Sequence, residues 1–215
     1  MIVGQALPET EAAEGTAEPF REILCRKGLG LERGETTTLQ INVGLLCNQN
    51  CHHCHLNAGP GRREIMDSET AEAVISYAGR SGFGVIDVTG GAPELNPNIA
   101  PLIERLSLLT PRLLIRSNLT VLNDGRREDL IRLLKDRRVV IIASFPSLNE
   151  AQSVSQRGDG VFERSIDALR RLNAMGYGVE GTGLELNLVS NPAGAFLPTP
   201  QGQMEKRFRE VLNRK

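Results

Sequence analysis

The sequence predicts an α/β fold, an incomplete parallel barrel of about five βα units. Two observations predict it. From Thr38 onward, apolar runs of strand length alternate with amphipathic stretches of helical period, the pattern of repeated strand–helix units around a parallel sheet. Within the runs, branched apolar side chains alternate with polar ones, so that one sheet face meets helices and the other is polar. A closed barrel fills its interior with branched apolar residues. A polar interior fits either a barrel left open to a ligand or a network that satisfies itself, such as an Asp87–Arg116 pair.

The first strand is expected over Thr38–Gly44, with Leu39, Ile41 and Val43 toward the helices and Gln40 and Asn42 opposite. A helix beginning near Asp67 places Ala71, Val74, Ile75 and Ala78 on one face and leads to the second strand, Gly84–Thr89, where Ile86 and Val88 oppose Asp87 and Thr89. Asn96 and Pro97 read as the cap and first turn of a helix presenting Ile99, Leu102, Ile103, Leu106 and Leu109. Pro111 ends it, and the third strand, Leu113–Ser117, follows. A helix around Leu130–Leu134 precedes the fourth strand, Val139–Phe145. A helix carrying Phe162, Ile166, Leu169 and Asn173 stops at Gly176, before the fifth strand, Leu184–Val189. Residues 1–18 read as a flexible lead-in, 19–200 as the barrel domain and 201–215 as the start of a further segment that is cut short.

A formal charge of −1 gives no basic surface for nucleic acid, and the 4% aromatic content is poor in stacking side chains. No run reaches the roughly 18 apolar residues of a membrane span. These features predict a cytoplasmic protein with a small-molecule substrate. Three of the four cysteines fall within eight residues, Cys47-Asn-Gln-Asn-Cys51-His-His-Cys54, too close for a disulfide framework and suited to a metal or cluster. The segment follows the first strand, which sets the thiols at the carboxyl edge of the sheet, where βα proteins build sites. A [4Fe–4S] cluster commonly takes four cysteines. Three leave one iron open to an amino acid that chelates through amine and carboxylate. Zinc is the competing reading, since His52, His53 and His55 lie among the cysteines, but no second ligand pair follows. Cys25, far upstream, reads as a buried, inert thiol.

The C-x3-C-x2-C spacing resembles the signature of the radical SAM superfamily. That resemblance implies a partial (β/α)6 TIM-like barrel, a [4Fe–4S] cluster on Cys47, Cys51 and Cys54, and S-adenosylmethionine (AdoMet) on the fourth iron. One-electron cleavage of its sulfonium gives a 5′-deoxyadenosyl radical, with an electron from a reductant such as flavodoxin or ferredoxin. Thr89-Gly90-Gly91-Ala92-Pro93-Glu94 resembles the superfamily's glycine-rich segment at the AdoMet methionine group. Ser117 and Asn118 match a region often near the ribose, or serve turn chemistry at a strand end. Arg157 falls where related enzymes place a basic residue near the AdoMet carboxylate, or is a solvated arginine beside Asp159.

Longer matches are CNQNCHHCHLNAGPGRREIMD, DVTGGAPELNP, SNLT, QRGDGVFERSIDALRRLNAMGYG and LELNLVSNPAGAFLP. Together they resemble the arsenosugar biosynthesis radical SAM proteins from about Thr38 to Pro200. This implies addition of the adenosyl group to a dimethylated trivalent arsenic compound. The chain departs from that family twice. Ser147 stands where the family has a cysteine, a softer ligand for arsenic(III). The family also continues beyond Lys215 with a further cysteine-containing segment, which leaves open a split, truncated or degenerate gene and leads to the expectation that the chain self-associates or needs a separately encoded complement. Three functions remain open: adenosyl transfer to arsenic, a radical SAM reaction on another substrate, and a metal-binding remnant without turnover.

Overall fold

The computed structural model describes residues 18–190 and 199–214, so most of the expected lead-in and the stretch NPAGAFLP lie outside the described residues. The chain divides into two units, Met1–Glu35 and Thr36–Lys215. In the first unit, helix α1 (Phe20–Arg26) buries none of its side chains. Cys25 is accordingly exposed, which corrects the expectation of a buried thiol: among the described residues, none packs over α1 closely enough to bury it.

The second unit holds a sheet of five parallel strands in sequence order: β1 (Thr38–Asn42), β2 (Val85–Thr89), β3 (Leu113–Ser117), β4 (Val140–Ser144) and β5 (Leu186–Val189). Each parallel connection is a helical crossover, as parallel pairing requires. The crossovers are α2 (Ser68–Ser81), α3 (Ile99–Leu106), α4 (Glu128–Asp136) and, between β4 and β5, α5 (Glu150–Arg157) followed by α6 (Val161–Ala174). The strands' helix-side residues Ile41, Ile86, Val88, Ile115, Ile141 and Ala143 join Ile75, Ile103, Leu106, Ile131, Leu134 and Leu172 in one apolar core. This is an open portion of a TIM-like barrel, with β1 and β5 at its edges among the described residues.

Local chemistry explains the helix ends. Asp67 caps α2 by accepting from the Thr70 amide at 2.8 Å. Beyond α6, Gly176 takes φ +103°, which a side chain would resist. Asn96 is not the cap of α3. The helix starts at Ile99, and the Asn96 side chain donates to the Val43 and Met66 carbonyls while accepting from the Asn98 amide. Asn96 thus ties together the two carbonyls that flank the cysteine loop, alongside the Met66 amide on Val43 and Asn98 Nδ2 on Met66. Helix α7 (Gln201–Leu212), in the stretch expected to start a further segment, turns Phe208 into the core, edge-on to Phe145 at 6.2 Å.

On the sheet's polar face, Arg116 makes a bidentate pair with Asp87, closest at 2.7 Å, and Gln40 donates to Asp87 at 3.1 Å. The face therefore carries a self-satisfied network: Gln40 lies directly across from Asp87, and Arg116, two residues beyond Asp87's register partner Leu114, reaches back to it.

Candidate functional site

The carboxyl ends of the strands carry every residue singled out at that edge. After β1, the backbone is strapped down before it reaches the cysteines: the Leu45 amide donates to the Glu64 carbonyl at 2.8 Å and the Gly59 amide to the Leu45 carbonyl at 3.1 Å. On the other side, the Gly91 amide donates to the Gly44 carbonyl and the Ala92 amide to the Leu46 carbonyl, both at 2.9 Å. A β-carbon at Gly91 would sit 2.5 Å from the Leu46 oxygen, and at Gly90, where φ is +148°, 2.8 Å from the Gly44 oxygen. The glycine turn is thus required by backbone meeting backbone, and it holds the root of the cysteine loop.

Cys47 is buried, and Cys51 and Cys54 are half-buried. Burial pushes the Cys47 and Cys51 thiols above the ordinary cysteine value, against which Arg157 lowers Cys51. The Cys51 thiol donates to Gln49 Oε1 at 3.2 Å, and Cys54 Sγ accepts from the Ala58 amide at 3.4 Å. Asn118 Nδ2 lies 3.5 Å from Cys47 Sγ. His52, His53 and His55 are exposed. Among the described residues, no three His, Cys, Asp or Glu side chains converge tightly enough to hold a single metal ion. Three thiols spread over one loop, each able to take its own iron, suit a polynuclear cluster better than tetrahedral zinc.

Arg157 reaches this loop from α5, and it is buried, which removes the reading of a solvated arginine. Nη2 donates to Ser144 Oγ at the end of β4, while Nε and Nη1 are buried without partners. A buried guanidinium with two unmet donors is costly unless a ligand accepts from it. Ser117 is committed to the turn: its hydroxyl donates to Glu94 and accepts from the Leu119 amide. Asn118 Oδ1 accepts from the Thr120 amide. Both residues therefore perform turn chemistry. Ser147 Oγ donates to Gln152 Oε1 at 2.7 Å and accepts from the Asn149 amide at 2.9 Å, closing the turn into α5.

Glu94, Gln49, Thr120 and Ser144 complete the site and were not singled out from the sequence. Glu94 is fully buried, with Oε2 unpartnered, and burial pushes its carboxyl up. The one signal available was its place three residues after the Gly90-Gly91 pair. A cavity of about 740 Å³ lies between α6, β5 and α7, lined by Leu186, Met204 and Phe208, and includes none of these residues.

An open parallel barrel with three thiols and a buried arginine holding two unmet donors on one edge suits an iron–sulfur cluster beside a small ligand that presents a carboxylate. The chain belongs to the radical SAM superfamily, whose family model matches residues 41–189. The superfamily's cofactors are a [4Fe–4S] cluster and AdoMet, and the donor set and the orphaned Arg157 nitrogens fit them. A Pyrococcus abyssi protein named "Probable GTP 3′,8-cyclase" is 30% identical over 144 residues, covering 67% of this chain and 46% of its own length. A GTP 3′,8-cyclase of Heliobacterium modesticaldum is 31% identical over 75 residues, 34% of this chain and 23% of that protein. The chain thus spans less than half the length of these curated relatives. Streptococcus suis SuiB bound to S-adenosylmethionine has a TM-score of 0.60 at 16% identity, covering 80% of this chain and 37% of SuiB. SuiB bound to its precursor peptide SuiA gives 0.62 at 14% identity, covering 94% and 44%. At such identity the likeness is one of fold.

Proposed function

We propose that this chain is the cluster- and AdoMet-binding part of a radical SAM enzyme that adds the adenosyl group of AdoMet to a dimethylated trivalent arsenic compound. In this reading Cys47, Cys51 and Cys54 hold three irons, Arg157 donates from Nε and Nη1 to the AdoMet carboxylate, and the backbone at Gly90 and Gly91 borders its methionine group. Ser117 and Asn118 shape the loop beside the ribose. The single observation that carries AdoMet binding is the Arg157 guanidinium, buried beside the cysteine loop with two donors unmet. When bound, the cluster and AdoMet supply one-electron cleavage of a carbon–sulfur bond. The chain's own residues orient AdoMet and screen it from water, and a one-electron donor such as flavodoxin or ferredoxin is the partner. The arsenic substrate is supported by the resemblance of the five matched segments to arsenosugar biosynthesis proteins.

A second reading, a purine nucleotide as substrate, is favoured by the 30% identity to a protein named as a GTP cyclase. Anaerobic reconstitution, reduction and incubation with AdoMet plus either dimethylarsinous acid or GTP separates the two. An adenosyl–arsenic product supports the first reading; consumption of GTP with no arsenic product replaces it with the second. Iron content tests the ligands directly: changing Cys47, Cys51 or Cys54 to Ala abolishes cluster binding, whereas Cys25→Ala leaves it intact. Uptake of zinc with no iron overturns both readings.

A further inference from the structure

The three thiols are not equivalent. Cys54 accepts from the Ala58 main-chain amide and Cys51 faces the side-chain oxygen Oε1 of Gln49, whereas Cys47, which also accepts from the Gln49 main-chain amide, is the one that meets a side-chain N–H donor, Asn118 Nδ2 at 3.5 Å. An asparagine amide can turn either its nitrogen or its oxygen toward a neighbour, so the orientation must be argued from its partners. Here it is fixed twice. Asn118 Oδ1 accepts from the Thr120 amide at 3.1 Å, and a main-chain N–H can only donate. The Thr120 hydroxyl accepts from Asn48 Nδ2 at 2.9 Å and from Gln49 Nε2 at 2.7 Å, which fills both lone pairs and leaves its proton for Asn118 Oδ1 at 3.1 Å. The Asn118 NH2 must then face Asn48 Oδ1, at 2.7 Å, and Cys47 Sγ. Asn118 is 8% exposed, so water does not compete. The turn beneath is locked by Ser117, which bonds Glu94 on one side and the Leu119 amide on the other, with Leu119 at φ +70°.

We infer that Asn118 is a positioning residue for the cluster: its side-chain amide donates to the Cys47 thiolate and raises the reduction potential of the centre that Cys47 helps to hold. The physical reason is charge. Reduction adds one electron to a cluster already ligated by anionic sulfurs, and an N–H dipole aimed at one of them stabilises the added charge more than the oxidised state. The inference rests on the reading of Cys47 as a cluster ligand, and it extends that reading from which residues bind the cluster to which residue sets its ease of reduction.

The test is a potentiometric titration of the anaerobically reconstituted full chain, with dithionite as electron donor, followed by electron paramagnetic resonance. Asn118→Leu removes the donor. Asn118→Asp keeps the acceptor for the Thr120 amide and replaces the donor with a carboxylate. At a fixed solution potential the reduced-to-oxidised ratio is expected to fall about tenfold in Asn118→Leu, equivalent to about 59 mV for a one-electron couple, and further in Asn118→Asp. A merely structural role would lower iron content and leave the midpoint unmoved. Should neither variant retain a cluster, the unmodified chain labelled with ¹⁵N in its asparagine side chains gives the answer. A hyperfine coupling to the reduced cluster supports the bond; its absence overturns it. A cluster with an unchanged midpoint in Asn118→Asp overturns this inference alone, whereas an unmodified chain that takes up no cluster overturns the underlying reading.

Discussion

The main-chain amide of His52 donates to the carbonyl of Gln156 at 3.0 Å, which ties the cysteine loop to the helix position beside Arg157. Loop and guanidinium are therefore placed by one hydrogen bond between segments about a hundred residues apart in the chain. Two consequences follow for binding. The unmet donors Nε and Nη1 are fixed relative to the thiols, and a carboxylate accepted there needs no rearrangement of either segment.

Arg157→Gln is expected to weaken AdoMet binding about ten- to a hundredfold, since a hydrogen bond to a charged group contributes roughly 1.5–3 kcal/mol and each 1.4 kcal/mol is tenfold. Iron per chain should not change, because Arg157 is not a ligand. Anaerobic equilibrium dialysis against labelled AdoMet reads the affinity, and an unaltered dissociation constant would remove Arg157 from the binding site.

The glycine turn makes a different prediction, one of fold and cluster together. A methyl at Gly91 meets the Leu46 oxygen at 2.5 Å and the Leu45 carbonyl carbon and oxygen at 2.9 Å, all main-chain atoms that cannot swing away. Gly91→Ala should cost about 1–3 kcal/mol, as overpacking does, and should lower iron uptake because the displaced backbone leads directly into Cys47. Gly84→Ala is the control: its β-carbon has only the Thr37 oxygen nearby, at 3.7 Å. Urea unfolding of both variants makes the comparison, and equal midpoints would show that the turn tolerates a side chain.

The legible and illegible parts of this molecule divide along physical lines. Leu113–Ser117 was readable to the residue because a short alternating run lay between Pro111 and a polar turn, and α6 because Phe162, Ile166 and Leu169 mark an apolar stripe. Helix α5 was not readable: its buried residues are Ser153 and Arg157, so it has no apolar stripe, and it is held by the Asn149 cap and the Gln156 contact to the loop. The three cysteines announced themselves by spacing. Asn96 and Glu94 did not, since their roles come from partners, Val43, Met66 and Ser117, that only the folded chain brings near. Spacing reveals residues that act with sequence neighbours; it is silent about those recruited across the fold.

Glu94 gives a pH prediction. Burial raises its carboxyl, opposed by the Ser117 hydrogen bond and by Arg127 from the turn after β3, while Cys47 is the thiol coupled to it. A carboxyl whose folded value lies above its unfolded value contributes stability that is fully present below the unfolded value and lost as pH rises through the folded one. The cluster-free chain should therefore lose stability on going from acid toward neutral pH, by this group, and Glu94→Gln should flatten that dependence while still accepting from Ser117. Thermal unfolding of both proteins across pH 4–8 is the measurement; parallel curves would mean that Glu94 does not titrate differently on folding.

The last prediction rests on the arsenic reading proposed above and concerns Ser147, which by the resemblance to arsenosugar biosynthesis proteins takes the place of a cysteine. The residue is only 9% exposed, and its hydroxyl bonds Gln152 and the Asn149 amide. A cysteine there retains the size of the side chain but is a weaker partner for both, so Ser147→Cys should cost no more than about 1 kcal/mol, the worth of an ordinary hydrogen bond. What it adds is a soft ligand for arsenic(III) on the same edge of the sheet as the cluster loop. In the proposed reading cleavage of AdoMet rests on the cysteine loop, the glycine turn and Arg157, none of which the substitution replaces. Coupling depends on holding arsenic against the 5′ carbon, where a misplacement of about 1 Å can cost on the order of a hundredfold. The variant should therefore leave the rate of AdoMet consumption near that of the unmodified chain and raise the ratio of adenosyl–arsenic product to free 5′-deoxyadenosine. Chromatography of reaction mixtures with dimethylarsinous acid reads both quantities at once. If the unmodified chain already couples efficiently and the cysteine brings no gain, arsenic is held by other groups and Ser147 is confined to closing the turn into α5.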